Sequence, residues 1–314
     1  MSLSPKVRAL AASAILILSA TATAGPAWAE APRRAVILTS DVTRFYEVYD
    51  AAGGRPSAEQ LDRDYLARGS ASLLHFAKVR NVTGTRIADT LQKRPEIYVA
   101  ARRCLAVLPG VKRRLTSSFA KLARLYPEAR PAPVAIVVGR GRPVGIADSA
   151  GVTMGLEALC AADFMHPDLE ARFVHTIAHE YGHIQQADAR KDLAPGDPDA
   201  TVLRMSLMEG TGEFVAQLIS GAPGNHQHRA WTKGREAQIE AAFVADQDKT
   251  DLSAWLNNGP GTAEKPGDLG YWVGHRIVKA YYDRAPDKRQ ALRDIFEMSD
   301  PKAFLAASGW RPAS

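Results

Sequence analysis

Three residues in the stretch HTIAHEYGHIQQ (175–186) have the types and the spacing to manage one metal ion and one proton. On a helix, positions four apart are separated by about 40° around the axis and by one turn along it. His179 and His183 therefore face the same way, and both imidazoles can reach one ion. Glu180, beside His179, sits near that face and can take a proton from a metal-bound water without ligating. His175 lies one further turn back on the same face. Three successive imidazoles bind a single ion awkwardly, so His175 is expected to be a hydrogen-bonded, partly buried histidine.

A catalytic zinc site uses three protein ligands and keeps one position open. The third ligand is offered by SLMEGTGEFVAQLISG (206–221), an apolar helical pattern carrying Glu209 and Glu213 four apart. Two acids among Leu203, Leu207, Phe214, Val215 and Leu218 are costly to bury unpaired. One Zn²⁺ held by His179, His183 and Glu209 would remove that cost. The other reading is a solvated carboxylate pair on a helix edge. Glu213, one turn on from Glu209, is placed to accept the second ring N–H of a ligand imidazole, that of His179.

HEYGH followed by MEGTGEF, with 25 residues between His183 and Glu209, resembles the gluzincin branch of the zincin metallopeptidases. The chain also resembles a bacterial family described as predicted zinc-dependent proteases. The segments that carry this likeness are VILTSDVTRFYEVYDA, VVGRGRPVG with GVTMGLE, DLSAWLNNG, LGYWVGHRIVKAYYD and FLAASGW. The resemblance implies a zincin-like fold and peptide hydrolysis by a zinc-activated water, with Glu180 as general base and then acid. It also implies a donor for the developing oxyanion, for which Tyr271 and His275 are the candidates. A strand at 152–156 would offer backbone groups to an extended peptide or protein substrate.

Helices must position these side chains. Pro167-Asp168 starts the one that carries HEYGH, and Gly182 within it permits close approach of another segment. Further helical patterns cover 200–220, 227–245, 271–284, 287–298 and 301–307. Before them, Asp41 is a candidate cap for VTRFYEVYDAA, Ser57 for the pattern over 57–81, and Leu108-Pro109-Gly110 interrupts a helix over 96–126. In the middle, 133–139 reads as a strand and 152–159 as a second one. The glycine-rich stretch 139–151 reads as the loop joining them rather than a phosphate cradle, because no Gly-x-Gly-x-x-Gly opens into a helix. The expected fold is α+β and mostly α, zincin-like, with a small central sheet. Its parts are a signal peptide (1–29), a helical N-terminal part (30–130) and a catalytic part (131–314).

The first 29 residues carry Lys6 and Arg8, an apolar run and Ala27-Trp28-Ala29, the order of a secretory signal peptide cleaved near Ala29. The aliphatic core at 14–18 is too short to span a bilayer, and no cysteine follows the small residues, so no stable membrane anchor is expected. A periplasmic or secreted location follows. Loss of Lys6 and Arg8 lowers the formal charge from +6 to +4. The basic residues are dispersed and without aromatic interleaving, so nucleic acid is not an expected partner. Cys104 and Cys160 could form a disulfide or serve as two buried apolar residues. Two other functions fit the same residues: a zinc-binding accessory protein without turnover, and a zinc hydrolase of a small molecule.

Overall fold

The computed structural model of the chain describes residues 35–142, 145–186, 197–222, 224–259, 261–262 and 264–313, all within one unit, Pro32–Ser314. The segment read as a signal peptide lies outside the described residues. The fold is α+β and mostly helical, with a four-stranded mixed sheet.

β1 (Ile37–Leu38) leads into α1 (Ser40–Ala51), whose cap position is held by Thr39 rather than by Asp41. Asp41 is buried in the first turn, where its carboxylate accepts from the backbone and hydroxyl of Ser70 and from Arg44. Ser57 and Gln60 form a reciprocal capping box at α2 (Ala58–Gln60), which continues into a π-helical turn over 61–66. Then come α3 (Ala71–Arg80), α4 (Gly84–Lys93), α5 (Pro95–Ala101), a 3₁₀ turn over 102–107 and α6 (Leu108–Leu125). Pro109 thus begins a helix instead of interrupting one. In a first turn its missing N–H forfeits no hydrogen bond.

The sheet is formed by β1, β2 (Val134–Val137), β3 (Gly145–Asp148) and β4 (Gly151–Gly155), in the order β1-β2-β4-β3. β1, β2 and β4 run parallel, and β3 is antiparallel to β4. β3 lies in the stretch read as a loop. It is created by a tight hairpin in which Asp148 Oδ1 accepts from Ala150 N at 2.9 Å and Gly151 takes a φ of +123°. The strand expected over 152–159 ends at Gly155, and α7 (Leu156–Ala161) follows, because Leu156-Glu157-Ala158-Leu159 are strong helix formers. β4 is paired on both sides, so it has no free edge on which to receive an extended peptide. The expected substrate-binding role of 152–156 is not available to it.

Beyond β2 the backbone is satisfied by side chains. Tyr65 donates its hydroxyl to Val138 O (2.7 Å) and accepts from Val138 N (2.9 Å), and Tyr98 donates to Gly139 O (3.0 Å). Buried Glu157 accepts from Gly139 N (2.9 Å) and Gly141 N (3.0 Å) through one oxygen. The glycine-rich amides thus serve an internal carboxylate.

The second half is helical: α8 (Leu169–Gln185), α9 (Val202–Ser220), α10 (His226–Thr232), α11 (Glu236–Asp246), α12 (Leu269–Arg284), α13 (Lys288–Phe296) and α14 (Pro301–Ser308). The single helix expected over 227–245 is two, parted at Gly234 with φ +76°. α8 lies against the sheet, α6 and α9, and α9 in turn lies between α8 and α12. Among the described residues no helix is long and apolar enough to cross a membrane.

Cys104, in the 3₁₀ turn, is joined to Cys160 of α7 by a disulfide that ties the N-terminal helices to the end of the sheet. The bridge closes a loop with a sequence separation of 56. By chain entropy this contributes up to about 4 kcal/mol. The Cys104→Ser/Cys160→Ser double variant is expected to lower the urea midpoint by the corresponding amount. An unchanged midpoint would mean the bridge contributes nothing to stability.

Candidate metal centre

The site is built where α8 and α9 cross. Asp168 starts α8 by accepting from Ala171 N at 2.7 Å, and Thr201 starts α9 by accepting from Arg204 N at 3.2 Å. Gly221, at φ +68°, ends α9. At the crossing the helices meet nearly backbone to backbone: a Cβ added to Gly182 would lie 3.4 Å from Gly212 Cα. A Cβ on Gly212 would lie 2.7 Å from His179 Cε1 and 2.8 Å from its Nδ1. The imidazole therefore rests directly on the α9 backbone. On the other side of α9, Gly210 abuts the backbone of Gly274 and His275 in α12.

Three donor atoms converge in this crossing. His179 Nε2 and His183 Nε2 are 3.0 Å apart, and Glu209 Oε2 is 3.2 Å from each. Both histidines are buried, and Glu209 is partly so. The group can hold a metal ion. A tetrahedral zinc with bonds of about 2.0–2.1 Å sets its ligand atoms roughly 3.3 Å apart, close to these edges.

The proton inventory points the same way. Gln186 Oε1 lies 2.8 Å from His183 Nδ1, while its Nε2 donates to Met208 O at 3.3 Å. The amide oxygen only accepts, so His183 carries its proton on Nδ1 and turns a lone pair on Nε2 toward the centre. Glu209 Oε2 also presents a lone pair. Even a proton on His179 Nε2 can serve only the two edges that meet at that atom. The third edge sets two lone pairs against each other at 3.2 Å, an arrangement that a cation relieves.

The surroundings reinforce this polarity. Burial alone would raise the carboxyls of Glu209 and Glu213. Hydrogen bonding and electrostatic attraction from the imidazoles beside them outweigh burial and hold both well below the usual carboxylate range. Burial likewise works against a charge on His179, but Glu209 and Glu213 push its affinity for a proton well above the ordinary value. Glu213 Oε1 is 3.2 Å from His179 Nδ1, off the line of a hydrogen bond. Its Oε2 is 3.1 Å from His175 Nε2, and His175 Nδ1 faces Ala222 O at 3.3 Å.

Glu180 is partly buried, and its side chain hydrogen-bonds no described residue. Tyr271 stacks on the His179 ring, with centroids 5.8 Å apart and planes inclined by 17°. Burial, and then the charge of Glu209, push its phenol well above the ordinary range. His275 faces away toward Gln217 of α9, its Nε2 lying 2.7 Å from Gln217 Oε1. Burial pushes His275 down to about 4.

Two residues that the motif does not reveal help to build the site. Gln186, three positions after His183 and at the C-cap of α8, sets the His183 proton. Gly212 gives the His179 ring its place, and its signal in the sequence is a glycine between two helix-borne acids. Gln186→Leu is expected to weaken zinc binding about 10–100-fold in chelator competition, as loss of an outer hydrogen-bond partner does. Gly212→Ala must displace the ring and is expected to cost at least as much. Full affinity in both variants would overturn this account of the site.

Residues 225–312 match the family model described as gliding motility protein GldB. No curated protein matches the chain, and no solved structure does. The matched stretch runs from α10 to α14, less than half of the chain, and includes the segment LGYWVGHRIVKAYYD. This corrects the reading drawn from motifs. The family likeness found is to a gliding motility protein and not to a peptidase, so the gluzincin resemblance is set aside. With it goes the zinc metallopeptidase activity. Two imidazoles and a carboxylate establish where an ion can sit, and ligand geometry alone does not establish turnover.

Proposed function

We propose that this chain is a metal-binding protein of the cell envelope that carries one Zn²⁺ on His179, His183 and Glu209. The observation that carries the reading is the buried triangle of lone pairs with edges of 3.0–3.2 Å. Two imidazoles and one carboxylate suit zinc better than the oxygen-seeking cations. When bound, the ion would neutralise Glu209 and clamp α8 to α9, with one position left for an outside donor. Gln186 orients the His183 imidazole, the Glu213 carboxylate lies beside His179 Nδ1, and Tyr271 covers the face of His179.

The envelope location is supported by two features. The Cys104–Cys160 bridge belongs to an oxidising compartment. GldB, whose pattern is shared by residues 225–312, is a gliding motility lipoprotein. The GldB-like stretch also supplies a wall of the metal centre, because α12 brings Tyr271 to His179.

Purified protein is expected to contain about one zinc per chain by elemental analysis. EDTA should lower its melting temperature, and zinc, but not magnesium, should restore it. His183→Ala and Glu209→Ala should lose the metal, whereas His175→Ala should keep it. Affinity should fall as the medium becomes acidic, since both imidazoles must be neutral to ligate. Failure of the wild type to take up micromolar zinc would refute the proposal.

A further inference from the structure

A second concavity lies beside the metal centre, between α9, α10 and α12, with a volume of about 210 Å³. It is smaller than the roughly 300–1,000 Å³ of pockets for drug-sized molecules, so it has room for a small metabolite. Glu213 and Tyr271 form its floor on the side of the metal ligands.

The hydrogen-bonding capacity of its lining is one-sided. The carboxylate of Glu213 is engaged by His175 and His179. Gln217 Oε1 is taken by His275 and Asn225 Oδ1 by the backbone of His228. The side-chain oxygens are therefore occupied. The amide NH₂ groups of Gln217 and Asn225 and the indole N–H of Trp272 make no hydrogen bond among the described residues, which leaves mainly donors, beside two imidazole lone pairs.

The charges are equally uneven. Arg276 is paired with Glu240 and lies over the Trp272 ring at 4.8 Å, and Lys279 is paired with Asp283. Arg229 is exposed at the rim and has no ion pair or hydrogen bond from its side chain among the described residues. A planar guanidinium with five donors is the complement of a carboxylate or a phosphate.

We infer that this concavity is a binding site for a small organic oxyanion, with Arg229 as its counter-charge and the Gln217, Asn225 and Trp272 donors as its walls. The site does not need the metal to form, so it stands apart from the zinc reading and can be tested without it.

The test is calorimetric titration of the full chain, both zinc-loaded and EDTA-treated, with benzoate, phenyl phosphate and neutral benzamide. At least one anion is expected to bind both forms of the protein, and benzamide neither. The tighter of the two identifies the head group as carboxylate or phosphate. Arg229→Met, which keeps the apolar stem of a surface side chain, should weaken binding about ten- to hundredfold. Arg86→Met, at an exposed position on α4, should leave it unchanged. The inference is overturned if neither anion binds at millimolar concentration, if benzamide binds equally well, or if Arg229→Met has no effect. Binding to the zinc-loaded form alone would also overturn it, because the anion would then be a ligand of the metal. Absence of zinc uptake with anion binding intact would remove the metal proposal and leave this one standing.

Discussion

The close approach of α9 to both of its neighbours is the constraint on which the metal centre depends. Gly212 admits the His179 ring on one side, and Gly210 meets Gly274 of α12 on the other. A Cβ at Gly212 would lie 2.7 Å from the His179 ring and one at Gly210 2.1 Å from the Gly274 backbone, so ring and helix would have to shift and donor atoms now 3.0–3.2 Å apart would be drawn out of register. Glycine in a helix interior costs about 1 kcal/mol relative to alanine. Here that cost is offset by dense contact between helices that could not otherwise pack at this distance.

Much of the site can be read from the residues. Four-residue spacing brings His179 to His183 and Glu209 to Glu213 because a helix repeats every 3.6 residues, whatever it packs against. The helices themselves are legible for the same reason, with Ser57 and Asp168 as their caps. β3 is hidden, because GIAD has neither alternation nor a β-branched run and becomes a strand only when β4 pairs with it. Gln186 is hidden too, since its role rests on Met208 in another helix. Function is the least legible. HEYGH and EGTGEF describe a coordination sphere, and the same sphere is compatible with several activities.

The likeness to GldB gives the C-terminal helices a different significance from the one their motifs suggest. α12 carries both Tyr271, stacked on a metal-ligand ring, and Trp272, which lines the neighbouring concavity. One helix of the GldB-like stretch therefore faces two sites at once. Glu213 does the same from α9, touching His179 with one oxygen and His175 with the other while lying at the base of the concavity. A change in either site is mechanically next to the other.

The position of the disulfide in the chain bears on which groups could compete for an ion. Cys104 and Cys160 both precede His179, His183 and Glu209 in sequence. In a chain delivered N-terminus first into an oxidising space, the two thiols emerge before any of these three donors. Thiolates are strong competitors for zinc, and they cease to compete once joined to each other. A bridge formed before the three donors emerge would leave no thiolate to compete with them for an ion.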